Sequence, residues 1–318
     1  MNLYNRAIRI FLIIFSAVAG FVVTCAWYIS RLILSPPRLP VALPLGSDMP
    51  VEQVQFPAVQ DGLRIAGWLL PQARGEKAPA MIIVHGWPQN RLGEDRTDIT
   101  GQILKAEKLD YMSLAQAFHQ DGYAVLMFDL RNHGQSAGSA GGVTFGLSES
   151  LDLLGAIDYL GSRSDIDMER IGVTGFSMGG NTTLYALSRT DQIKAAAVIQ
   201  PTTPKLFSHR LATYLTGPLG IPIIWVANMI VKLLGGTALE DIDIVQAASQ
   251  AGKTPVLYIQ GAGDQYGSLA DVEAMAAATP NLVDLVVAAD AENRYQGYTY
   301  ALHNPEILRS YFQEHLNL

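Results

Sequence analysis

The sequence predicts an α/β domain built on a mostly parallel sheet and set behind one N-terminal apolar helix. Two observations predict it. From residue 80 onward, short β-rich runs alternate with helical patterns, the sign of a parallel sheet with helices on its faces. Before that, Ile10 to Ile29 is a run of twenty residues without a charge. At 318 residues the chain can hold one large α/β domain plus such an appendage.

The apolar run is bracketed by Arg6 and Arg9 on one side and Arg31 on the other. Twenty helical residues cover about 30 Å, the thickness of a bilayer's hydrocarbon core. Trp27 and Tyr28 beside Arg31 suit a membrane interface, where amphipathic rings sit at headgroup depth. A cleaved signal peptide is the rival reading, but its apolar stretch is normally shorter and followed by small residues. The expectation is therefore a single-pass anchor, residues 1–34, with the membrane contacted through residues 10–29. Arg31 and Arg38 balance Arg6 and Arg9, so the positive-inside rule leaves the side on which the downstream domain lies open. Cys25, the only cysteine, lies inside this run and excludes an internal disulfide. Thr24 is larger than the residue a lipoprotein site wants before its cysteine.

Prolines at 36, 37, 40, 44 and 50 mark residues 35–50 as an extended connector, since proline fixes φ and removes backbone donors. Residues 51–318 are the expected globular domain. Residues 1–40 carry four arginines and no acid, so the rest holds 18 basic and 29 acidic residues, a net −11. That balance, with charged residues only 16% of the chain, excludes a nucleic-acid surface. With 49% apolar residues a disordered chain is excluded too.

Glu52 to Val59 and Leu63 to Leu70 flank Asp61-Gly62 as a hairpin. Met81 to Val84, Ala124 to Phe128, Ile171 to Phe176, Ala195 to Ile199, Val256 to Ile259 and Leu282 to Val287 are the further strands. Several are apolar throughout, as buried parallel strands require. Tyr111, Leu114 and Phe118 recur at helical spacing, as do Leu147, Leu151, Leu154, Ile157 and Leu160. Asn304 and Pro305 announce a last helix. Residues 203–248 are too long for a simple connection and read as an inserted cap. Its apolar run Ile221 to Leu234 is short for a second span and contains Asn228 and Lys232.

The chemistry centres on Gly175-Phe176-Ser177-Met178-Gly179, which follows a β-rich run and precedes a helical one. A strand-to-helix turn this tight needs small residues around its serine, and Gly175, Gly179 and Gly180 supply them. An ordinary glycine-rich turn with a surface serine would give the same five residues, so the context decides. His85-Gly86-Trp87 follows one strand, and the Trp87 amide would complete an oxyanion hole with that of Met178. Asp129 to Ser136, with the pattern Asp-x-Arg-x-His-Gly-x-Ser, follows the next. Gly261-Ala262-Gly263-Asp264 places a carboxylate at the carboxyl edge of the sheet, where ligand sites gather.

Together these segments resemble the α/β-hydrolase superfamily, particularly its serine aminopeptidase and lysophospholipase-like branch, over nearly all of residues 52–318. The resemblance implies an α/β-hydrolase fold with a helical cap. It implies that Ser177 attacks a carbonyl, that Asp264 orients a histidine, and that Trp87 and Met178 supply oxyanion amides. It implies no metal or organic cofactor and a small ester, thioester or amide substrate, with lipid an option beside a bilayer. His133, inside the Asp-x-Arg-x-His-Gly-x-Ser segment, takes a loop-shaping role by the same analogy.

The sequence departs from the family at the histidine, which normally stands a few residues beyond the last strand. Asn293 best occupies that place, and an amide cannot act as a general base. His303 is the only histidine between the last strand and the last helix, so it is the candidate base if residues 290–303 loop back toward Ser177. The competing reading of His303 is a residue beside the Asn304 cap. The expected function is a membrane-anchored serine hydrolase, with a catalytically silent ligand- or partner-binding domain as the alternative that Asn293 favours.

Overall fold

The computed structural model describes residues 3–42, 50–72, 77–94, 102 and 105–317. Residues 43–49 of the expected connector lie outside the described residues. The chain opens with α1 (Leu3–Leu34), then forms the expected hairpin from β1 (Glu52–Pro57) and β2 (Arg64–Leu70). Gly62 holds φ +65° in the turn, the left-handed region that glycine enters at little cost. Then come β3 (Ala78–Val84), α2 (Tyr111–Gln120), β4 (Ala124–Phe128), α3 (Glu149–Gly161) and β5 (Ile166–Phe176). They are followed by α4 (Met178–Leu187) and β6 (Ala195–Ile199).

The insertion consists of α5 (Pro204–Thr216), α6 (Gly220–Leu233) and α7 (Ile244–Ser249). The chain finishes with β7 (Val256–Gly261), α8 (Leu269–Ala278), β8 (Leu282–Ala288), α9 (Arg294–His303) and α10 (Pro305–His315). The eight strands form one sheet in the order β1-β2-β4-β3-β5-β6-β7-β8. β2 runs antiparallel to both neighbours, and every pair from β4 to β8 is parallel.

Successive residues of a strand face opposite sides of the sheet, so an all-apolar strand feeds two cores. On β3, Ile82 and Val84 join α3, α4 and α8 on one side, while Met81 and Ile83 join α2, α9 and α10 on the other. Burying both faces leaves the loops at the carboxyl ends of the strands as the place for chemistry.

Two departures from the sequence reading matter for the site. Residues 294–303 form α9, not a loop. Its start is marked by Asn293, whose side chain accepts a hydrogen bond from the Gln296 amide, while Gln296 accepts from the Glu292 amide. That reciprocal capping makes residue 294 the first helical position. The second departure concerns α1. Its exposed apolar face covers residues such as Phe11, Phe15 and Phe21, but Val22, Ala26, Ser30 and Ile33 turn inward one helical turn apart.

Val22 and Ala26 pack on Ile223 and Ala227 of α6, where small side chains allow the two helices to approach closely. The Ile33 carbonyl accepts from the Val143 amide at 2.9 Å, and Arg38 donates to the Ser136 carbonyl. Packing thus crosses the boundary drawn between the anchor and the globular part. By length and composition alone, Tyr4–Leu34 and Pro204–Leu233 could each cross a membrane. The second is α5 and α6 joined through a short 3-10 turn. Its polar residue Asn228 is buried and bonded to the Leu239 amide and Glu240, as a cap helix requires.

Candidate active site

Ser177 sits between the end of β5 and the start of α4 at φ 52°, ψ −113°, a conformation in the positive-φ region that a non-glycine residue rarely holds. The glycines explain how it is held. A Cβ at Gly175 would strike the Gly179 main chain, and one at Gly179 would strike the Val84 and His85 carbonyls. The Ser177 amide donates to the Ile199 carbonyl at 2.8 Å, tying the turn to β6. Met178 opens α4, so its amide belongs to the first turn, where helix N–H groups lack an intrahelical acceptor.

The His85-Gly86-Trp87 loop closes on this turn. A Cβ at Gly86 would lie 3.0 Å from the Ser177 Cβ and 3.0 Å from the Phe176 carbonyl. Gln89 fixes the loop by accepting from the Gly86 amide at 3.0 Å and from the Tyr111 hydroxyl. His85 itself points inward: its Nδ1 bonds the Gly86 carbonyl and its Nε2 accepts from the Leu130 amide. Burial, with help from the neighbouring His133, pushes its pKa down to about 3, so it is a neutral structural ring.

Asp264 follows β7 and is buried. One carboxylate oxygen accepts from the Tyr266 and Gly267 amides at 3.0 and 2.9 Å. The other oxygen pairs with Arg294. The same guanidinium donates to Ser177 Oγ at 2.9 Å and to the Gln200 carbonyl at 2.7 Å, and it lies over the rings of Phe207 and Tyr298. Arg294 therefore fills the gap between carboxylate and serine in which a triad places its imidazole. Tyr298 lines the same cavity as Ser177.

The charge state of this group follows from its surroundings. Burial disfavours the guanidinium cation, but the facing Asp264 carboxylate and the Tyr298 phenol together outweigh that and raise its pKa. A guanidinium has five N–H donors and no acceptor, so Arg294 can hold an oxygen but cannot take a proton from it. Tyr298 is driven upward chiefly by burial and is a neutral phenol.

The structure brings together Ser177, Asp264, Trp87 and Met178, and it does not bring His303. His303 is exposed at the far end of α9, nine residues from Arg294, a distance of about 13 Å along a helix. It lies with Val287, Asp290 and Gln296 around a separate surface depression. The other five histidines are also absent from the lining at Ser177. Asn293 is at the expected position but spends its side chain on capping α9.

Arg294, Tyr298 and Gln200 were not legible as site residues. The available signal was the Asn293-x-x-Gln296 capping pattern, which fixes the helix start and turns residue 294 toward Ser177. His133 bonds the Arg131 carbonyl within the loop shaped by Asp129.

Ser177 opens into a cavity of about 360 Å³ whose walls include Trp87, Phe207, Leu211 and Tyr298, together with Tyr28 and Leu32 of α1. The volume falls in the range of small-molecule sites, which run to roughly 300–1,000 Å³. Its polar groups are concentrated at the serine, and apolar side chains make up the rest.

Residues 79–222 match the family model of the alpha/beta hydrolase fold. An uncharacterised protein of Mycobacterium tuberculosis is 33% identical over 180 residues, 55% of this chain and 54% of that one. A thiohydrolase of Aspergillus aculeatus is 27% identical over 160 residues, covering 50% of this chain and 44% of its own. An uncharacterised peptidase of Bacillus subtilis is 30% identical over 152 residues, 46% of this chain and 21% of its own. The chain thus spans about half the length, or less, of these curated relatives. Among solved structures, an esterase of Pyrococcus furiosus superposes with a TM-score of 0.66 at 20% identity, covering 89% of this chain and 99% of its own. At that identity the likeness concerns the fold.

Proposed function

This chain belongs to the α/β-hydrolase superfamily, and we propose that it hydrolyses a carboxylic ester, thioester or amide through Ser177, at a membrane to which α1 anchors it. The observation that carries the reading is the geometry of Ser177 itself: a positive-φ serine between β5 and α4, abutted by the Gly86 loop and open to a cavity. Thiohydrolase and uncharacterised peptidase relatives support the reaction class.

In the proposed reaction Ser177 Oγ attacks the carbonyl carbon, and the carbonyl oxygen becomes an oxyanion held by the Met178 and Trp87 amides. Collapse expels the leaving group, which takes a proton from water and departs as alcohol, thiol or amine, and leaves an acyl-serine, which water then hydrolyses. With Arg294 unable to accept it, the serine proton passes to solvent hydroxide, while the guanidinium stabilises the alkoxide left behind. Turnover of this kind is slow and rises with pH, without the plateau that titration of an imidazole near neutrality gives.

Arg294 also favours a second reading, a hydrolase-like domain that holds an acyl compound without turning it over. One experiment separates them. On the first reading a fluorophosphonate labels the full chain but not Ser177→Ala, and ester hydrolysis climbs steadily from pH 6 to 9. Labelling that is equal in the two proteins sinks Ser177 as nucleophile. Labelling without hydrolysis leaves the binding domain.

A further inference from the structure

Beside the Ser177 cavity lies a second one of about 460 Å³ between α1 and the cap. Tyr28, Leu32, Trp87, Phe207, Leu211 and Leu215 line both, so the two volumes share a wall of side chains. The second cavity runs along α1 from Thr24 to Ile33 and along α5 from Phe207 to Thr216.

Four lining residues carry hydroxyls, Thr24, Tyr28, Ser208 and Thr216, and the three threonine and serine hydroxyls are each spent on their own helix. Thr24 Oγ1 donates to the Gly20 carbonyl at 2.8 Å, Ser208 Oγ to the Lys205 carbonyl at 3.1 Å, and Thr216 Oγ1 to the Ala212 carbonyl at 2.7 Å. The surface that the walls turn to the cavity is apolar, although the indole N–H of Trp87, one of the lining residues, is buried without a hydrogen-bond partner. A cavity with such walls favours an apolar occupant over water, which needs two to four polar partners.

Polarity is graded along the pair of cavities. Arg294, Tyr298, Gln89 and Ser177 mark one end, and only apolar contacts mark the other. The matching molecule is an amphiphile with its polar carbonyl at Ser177 and a long hydrocarbon tail against α1. The two helices that pack together here also carry exposed apolar side chains, Ile221, Trp225, Met229 and Leu233 on α6 and Phe11, Phe15 and Phe21 on α1.

We propose that the second cavity is an acyl-chain subsite, that the anchor helix forms one of its walls, and that the compound taken is a long-chain acyl ester. The identity of that compound rests on the reading that Ser177 meets a carbonyl. The chain-binding claim does not. Occupancy can be read at Cys25, which lines the subsite and is the only cysteine in the chain.

The test uses full-length Ser177→Ala in digitonin, a steroidal detergent without an alkyl chain, alkylated with N-ethylmaleimide. Ethyl palmitate at about ten times its Kd is expected to slow Cys25 alkylation roughly tenfold, while ethyl butyrate leaves it unchanged. Delivering the palmitoyl group from vesicles as diacylglycerol, or from water as a pantetheine thioester, distinguishes a lipid source from a soluble one. Thr24→Phe on α1 and Ala212→Phe on α5 fill the subsite from opposite walls, and each should abolish the protection by ethyl palmitate. Two such variants guard against one that merely misfolds. Absence of palmitate protection in the unfilled protein overturns the subsite. Protection together with an unreactive Ser177 in the parent chain keeps the subsite and removes the hydrolase reading instead.

Discussion

Two buried arginine–aspartate pairs, Arg91 with Asp129 and Arg294 with Asp264, use the same chemistry for different ends. Asp129 accepts from the Arg91 amide, from two of its guanidinium nitrogens and from the Gln135 amide. Burial pushes the Asp129 carboxyl up, but Arg91 overcomes this and holds it below the usual carboxylate range. That pair is closed upon itself and shapes the loop after β4. The Arg294 pair is closed on three sides and open on the fourth, where one guanidinium nitrogen meets Ser177 at the cavity wall. Fully enclosed, a pair contributes shape. Left with one donor facing a cavity, it conditions a reactive oxygen.

The largest effect should come from changing what fills the gap beside Ser177. Asn293→His alone is expected to give no gain in ester hydrolysis, because the Arg294 guanidinium still occupies the space between Asp264 and Ser177. Asn293→His with Arg294→Ala vacates it, and turnover should rise by roughly 10²- to 10⁴-fold, the range of a positioned general base. A gain in the single variant would show that the guanidinium does not block the imidazole. A folded double variant without gain would show that the gap cannot seat one.

Breaking the pairs by removing one partner should rank them. Arg91→Met strands Asp129 among enclosed groups, at about 3–5 kcal/mol measured by urea unfolding. Arg294→Met should cost less, because each carboxylate keeps two backbone amides but only the space vacated beside Asp264 adjoins a cavity that water can enter. An equal or larger loss for Arg294→Met would erase the distinction drawn between the pairs.

Acid should act on the enclosed region through His85, whose ring stands beside Asp129 and His133. Its folded pKa, about 3, lies below the ordinary 6.5, so the unfolded chain takes up the proton first. The stability tied to its neutral form is fully present above about pH 6.5 and is lost as pH falls toward 3. Between pH 7 and 4 the loss is about 3 kcal/mol for the cited shift. Unfolding curves at the two pH values check this in the parent chain and in His85→Gln, where the dependence should flatten.

The sheet was legible because its strands are apolar runs bounded by turn signals, and Ser177 because glycines at 175 and 179 are demanded by main-chain contacts that no larger residue fits. Asp264 was legible from its place after β7. Arg294 was not, because a buried cation is recognisable only by the partner that neutralises it, and Asp264 lies thirty residues earlier. The inward half of α1 was hidden for a related reason. A uniformly apolar helix has no periodicity to separate the face that meets lipid from the face that meets protein, and Val22, Ala26 and Ile33 declare themselves only when α6 and Val143 are in place.

The smallest expected effect belongs to His303→Ala. The residue is a candidate base only if residues 290–303 form a loop with slack enough to return to Ser177. In the fold that stretch is α9, capped at Asn293 and packed through Tyr295, Tyr298 and Ala301 against the sheet. The helix makes the separation rigid: nine residues of rise put His303 about 13 Å beyond the position that touches Ser177. Reaching back would require unwinding α9 and withdrawing Arg294 from Asp264, which strands a buried carboxylate at several kcal/mol. An exposed side chain at a helix end makes no contact whose loss would offset that. Hydrolysis by His303→Ala should stay within about twofold of the parent, about 0.4 kcal/mol of barrier. A fall of a hundredfold or more, with the helix intact by circular dichroism, would mean that the reacting state rebuilds α9 and that the Arg294 arrangement is its resting form.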